Sequence, residues 1–126
     1  MWRLLPVFAL FFLTACPLMD SDDPIACTEE FRSIGLEISG DSLTEFFTIR
    51  ELSGDTIRIG DGPYHYGTTR FYPVLNDGYQ RLLQNRSEPF RFIGKINDSV
   101  QVDQPFQIGA DQCHIFKVSG PTRITL

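Results

Sequence analysis

Three cysteines and two histidines hold most of the reactive chemistry in this chain, and their spacing narrows it at once. Nucleophilic catalysis needs a Ser or Cys beside a His that a carboxylate orients. No Gly-x-Ser-x-Gly occurs, and His114 directly follows Cys113 in a segment that reads as a strand. His65 lies in Gly60-Asp61-Gly62-Pro63-Tyr64-His65-Tyr66-Gly67, a loop by its glycines and proline. A transition-metal site would need a Cys-x-x-Cys pair or clustered histidines, and only the Cys113-His114 adjacency points that way. Asp55, Asp61 and Asp77 offer hard oxygens for calcium, but no Asp-x-Asp-x-Asp-Gly loop frames them. The expectation is no catalytic residue, no metal and no cofactor, with a small hydrolase using His65 or His114 as the alternative. Tyr64 and Tyr66 flank His65 with rings suited to contact a protein or stack on a sugar, so Tyr64, His65 and Tyr66 form the candidate binding loop.

Charge removes another class. The formal net charge is -5 and the pI about 4.8, which leaves no basic surplus to neutralise phosphates, so no nucleic-acid partner is expected. At 126 residues, 42% of them hydrophobic, the chain has the size and composition of one globular domain.

Residues 1–15 carry a single charge, Arg3, ahead of an apolar run that ends in small residues. That is the layout of a signal peptide, and the run is too short for the ~20 residues that cross a bilayer. Its end, Leu13-Thr14-Ala15-Cys16, resembles the lipobox of bacterial lipoproteins at all four positions. The resemblance implies cleavage before Cys16 and acylation of that residue, so that membrane lipid becomes the first partner. Removing residues 1–15 leaves 111 residues at net charge -6. Residues 16–26 contain two prolines and three aspartates without periodicity and read as an acidic tether. Asp20, Asp22 and Asp23 resemble the export signal of surface lipoproteins in the Bacteroidota, although any tether must be polar. The expected location is the cell envelope, at the surface or periplasmic face of the outer membrane.

With Cys16 acylated, Cys27 and Cys113 remain as an even pair in an oxidising compartment, which favours a disulfide over two free thiols or half a metal site. Such a bridge would enclose nearly all of a single domain spanning residues 27–126.

The elements that must position these residues are strands. Ile34, Leu36 and Ile38 alternate with Gly35 and Glu37; residues 43–52 and 56–59 flank a Ser53-Gly54-Asp55 turn as a hairpin. Phe71–Leu75 reads as a strand, placed at a sheet edge because Pro73 has no N–H to donate. Tyr79–Asn85 fits either a helical turn or a short strand, with Gln, Arg and Leu and the Tyr79–Leu83 spacing of four favouring the helical turn. Phe90-Arg91-Phe92 is the clearest strand, with a bulge expected at Gly94, and residues 100–102, 106–108, 113–118 and 123–126 complete the series. Seven to nine short strands without βα units predict an all-β fold: an antiparallel two-sheet sandwich of about seven strands, Greek-key, transthyretin-like or immunoglobulin-like, with a small barrel as the rival.

Cys27-Thr28, Phe90-Arg-Phe-Ile-Gly94 and Gly109-Ala-Asp-Gln-Cys-His-Ile-Phe-Lys-Val-Ser-Gly120 resemble a group of small Bacteroidota lipoproteins described as carboxypeptidase regulatory-like. The resemblance implies a transthyretin-like sandwich and brings no catalytic residues. The functional expectation is a non-catalytic, lipid-anchored β-sandwich module of the bacterial envelope that binds a protein or glycan partner through its loops.

Overall fold

A computed structural model describes residues 26–60 and 63–126. The leader, Cys16, the tether aspartates Asp20, Asp22 and Asp23, and Asp61 lie outside the described residues.

Among the described residues nine strands form two sheets. They are β1 (Ser33–Ser39), β2 (Glu45–Arg50), β3 (Asp55–Ile57), β4 (Tyr64–Tyr66), β5 (Thr69–Asn76), β6 (Arg86–Ile96), β7 (Ser99–Ala110), β8 (Ile115–Ser119) and β9 (Arg123–Thr125). The smaller sheet has the order β4-β5-β1-β9 and the larger β3-β2-β6-β7-β8. The chain passes between sheets four times, which makes non-consecutive strands such as β1 and β5 neighbours. Pairing is antiparallel everywhere except between β1 and the short β9, which run parallel. The all-β two-sheet sandwich therefore stands, at the upper end of the seven to nine strands expected and with one parallel pair.

The core follows from side-chain alternation. Leu36 and Ile38 of β1, Tyr72 and Val74 of β5, and Phe90 and Phe92 of β6 are fully buried between the sheets. Phe46 meets Tyr72 edge-on at 5.1 Å between centroids, joining the two layers through aromatic contact. The Thr48 hydroxyl, buried on β2, donates to the Val74 carbonyl of the opposite sheet at 2.6 Å. A carboxylate is buried as well: Glu88 is 1% exposed and held by Arg50 through two hydrogen bonds of 2.7 and 2.9 Å. Arg86 adds a third contact at 2.8 Å. The hydrogen bonds from Arg50, working against burial, hold the Glu88 carboxyl below its ordinary range.

Three prolines lie inside strands that have neighbours on both sides, so the edge placement expected for the Pro73 strand is corrected: β5 lies between β4 and β1. The reason is strand length. The pairing of β4 with β5 stops at Phe71, that of β2 with β6 stops at Phe90, and that of β8 with β7 stops at Gln107. Pro73, Pro89 and Pro105 each sit just past those limits, where no ladder bond is lost.

The turns match their residue types. Asn97 and Asp98 both have positive φ and join β6 to β7 in a tight hairpin, as Asn and Asp tolerate. The β6–β7 register slips between Gly94 and Lys95, at the expected bulge. Residues 100–102 and 106–108, read as separate strands, belong to the single strand β7. A 3-10 turn, Asp77–Tyr79, leads into one helical turn, α1 (Gln80–Leu83), whose Leu83 is fully buried.

Candidate functional site

Two groups of side chains stand out, one tying the chain together and one open to solvent. The first surrounds the disulfide. Cys27 and Cys113 are bonded, with their Cα atoms 5.2 Å apart. Bridging them sets Thr28 beside His114, and the Thr28 hydroxyl lies 2.9 Å from His114 Nε2. His114 Nδ1 lies 2.8 Å from Asp77 Oδ2. An imidazole protonated on Nδ1 satisfies both contacts, donating to Asp77 and accepting from Thr28.

Asp77 does more than face the histidine. Its Oδ1 accepts from the Ile115 N–H at 2.8 Å, and its Oδ2 accepts from the Arg32 N–H at 2.7 Å. The Asp77 N–H in turn donates to the Arg32 carbonyl at 2.9 Å. Burial opposes ionisation of this carboxyl, but the N–H groups of Arg32, Ile115 and His114 outweigh it and hold its pKa below the ordinary value. Asp111 works similarly on the adjoining turn, accepting from the N–H groups of Cys113 and His114 at 2.7 and 2.8 Å. Those two hydrogen bonds, His114 first, lower its pKa as well. This clasp binds the entry segment, the turn after β5 and the start of β8 to one another.

The second group is a cleft of about 360 Å³ beside β4, on the face of β5 and β1 turned from the core. Phe31, Tyr64, Phe71 and Pro73 supply its apolar surface; Ser33 and Asn76 supply polar groups. Ile59 and Gly60 complete the lining, which contains no charged side chain among the described residues. The Tyr64 and Phe71 rings are 6.4 Å apart and tilted by 48°, an angled wall rather than a stack. Gly35 explains the position of Phe71: its ring occupies the space where a Cβ at residue 35 would project. Phe31 is 65% exposed and Tyr64 56%, unusual for large apolar rings on a small domain. Phe31 precedes β1, so its place depends on Cys27, Thr28 and Arg32, the same residues that the clasp holds.

Comparison of the chain with known protein families, curated proteins and solved structures found no match.

The expected site residues are therefore located by geometry alone. Cys27 and Cys113 form the expected bridge. Tyr64, His65 and Tyr66 are corrected from a loop to strand β4, paired with Phe71, Arg70 and Thr69. Tyr64 faces the cleft; His65 is exposed and does not line it. His114 is corrected from a strand position to the turn before β8, where it is 6% exposed. Asp77 spends its oxygens on backbone and histidine donors, and among the described residues no group of three His, Cys, Asp or Glu is placed to hold a metal. Sequence reading missed Phe31, Phe71 and Pro73 as cleft residues and Thr28 as a partner of His114. For Thr28 a signal existed: once the two cysteines are paired, the residues following each become neighbours.

Proposed function

We propose that this protein is a non-catalytic, lipid-anchored β-sandwich module of the bacterial cell envelope that holds a partner in the cleft beside β4. One observation carries the binding reading: the exposed rings of Phe31 and Tyr64 and the half-buried ring of Phe71 converge on an open concavity, instead of being scattered over the surface. Anchoring is argued from Leu13-Thr14-Ala15-Cys16, and Asp20, Asp22 and Asp23 fit a tether that lifts the domain off the membrane.

A hydrolase has one feature in its favour, the carboxylate–imidazole–hydroxyl order of Asp77, His114 and Thr28. Binding is the better reading because His114 is nearly buried and these three residues do not line the cleft. A reacting group needs space beside both nucleophile and base.

Two measurements test the proposal. In a Triton X-114 partition the wild-type protein enters the detergent phase and Cys16→Ser moves to the aqueous phase; equal partition of both forms refutes the anchor. A photo-crosslinking amino acid at position 64 traps a partner on living cells, whereas one at exposed Leu52 does not. Equal yields at both positions refute the cleft as the binding site.

A further inference from the structure

The chemistry of the cleft restricts what it can hold, granted that it is the binding site proposed above. Its size is the first restriction. A cleft of about 360 Å³ lies at the lower end of the ~300–1,000 Å³ typical of sites for small molecules. The second restriction is charge. Among the described residues no Lys, Arg, Asp, Glu or His lines the cleft, so a carboxylate or phosphate group would enter without a counter-charge from them. The third is the way rings alternate with neutral hydrogen-bonding groups. Tyr64 and Phe71 present aromatic surfaces at an angle, with Phe31 nearby, while the Ser33 hydroxyl and Asn76 amide stand along the same cleft. Asn76 Oδ1 already accepts from the Gly78 N–H at 2.9 Å, which leaves its amide N–H groups to donate outward.

A pyranose ring matches these restrictions. One of its faces is a patch of C–H groups that lies well on an aromatic ring, and its rim is a set of neutral hydroxyls that need both donors and acceptors. An apolar side chain would leave Ser33 and Asn76 unpaired, and an acidic sugar would bury its charge without compensation. We infer that the cleft binds a neutral oligosaccharide, with Tyr64 as the stacking platform and Ser33 and Asn76 as the groups that read the hydroxyl rim.

The test uses the protein as the cell processes it, purified in detergent. Isothermal titration is run against oligosaccharides of glucan, mannan and xylan, with a uronic-acid oligosaccharide and an unfolded peptide as further arms. At least one neutral sugar binds, Tyr64→Ala weakens it at least tenfold, and Tyr64→Phe retains most of the affinity. Phe31→Ala, which lies outside every strand, weakens it too and guards against a fold defect in the β4 variant. Both alanine variants keep the wild-type melting midpoint, because both side chains are mostly exposed. Binding of the acidic sugar or the peptide alone overturns the inference, as does neutral-sugar binding that survives Tyr64→Ala, or silence across the sugars. Silence together with a protein adduct at position 64 overturns the sugar and keeps the binding module. Silence with no adduct overturns both.

Discussion

Reduction of the Cys27–Cys113 bridge is expected to lower the melting midpoint by roughly 15–30 °C, at ~4–8 °C for each kcal/mol in a domain near 100 residues. The bond spans a sequence separation of 86 residues, so it restrains nearly the whole unfolded chain. The chain-entropy argument gives a closed loop of that length about 4–5 kcal/mol as an upper figure. The effect acts on the unfolded state, because the sandwich itself is held by its core and ladders. The check is a thermal melt of oxidised protein, of reduced protein with its thiols counted, and of the variant with both Cys27→Ser and Cys113→Ser. An unchanged midpoint in fully reduced protein would mean that the bridge does not restrain the unfolded chain, and would overturn the entropic account.

Asp77→Ala should be the next most damaging change, costing about 3 kcal/mol, since three hydrogen bonds to an ionised carboxylate are lost together. Its side chain is 8% exposed, so water replaces those contacts poorly. The same carboxyl sets a pH dependence. Folding lowers the pKa of Asp77, Glu88 and Asp111, so each stabilises the fold fully above its unfolded value, near pH 4. That stability is lost as pH falls through the lower folded values. The wild-type midpoint should therefore fall steeply in acid, and Asp77→Ala should fall less steeply from its lower start. Parallel curves for the two proteins would show that Asp77 is not one of the groups protonated on unfolding. Loss of cleft affinity in Asp77→Ala is expected as well, because Arg32 is one step from Phe31.

What could be read in advance divides along a physical line. Alternation of apolar residues is a local signal, so Leu36 and Ile38, or Phe90 and Phe92, declare their face without knowledge of the fold. The Asn97-Asp98 hairpin and the slip at Gly94 are local too. Position within a sheet is not. Pro73 means "no donor here", and an edge is only one way to meet that; a neighbour ending at Phe71 is another. The clasp was half legible, because the cysteine pair follows from counting, whereas Asp77 looks like any Asp-Gly turn until His114 is brought against it. The cleft was least legible. Tyr64 stood out by composition, but Phe31 lies in a stretch without periodicity, and Phe71 is distinguished only by lying over Gly35.

The position of the bridge also governs how the domain responds to force. A pull entering through residue 26 divides at Cys27, part passing to Thr28 and part across the sulfurs to Cys113, just ahead of β8. The chain between the two cysteines cannot be drawn out lengthwise, because its ends are covalently joined. Between residue 26 and Leu126 only the segment after Cys113 can pay out, about 45 Å at ~3.5 Å per residue. A chain without the bridge would pay out roughly 350 Å. Pulled between residue 26 and Leu126, the domain would act as a short, stiff link whose cleft stays shaped while its last two strands peel away.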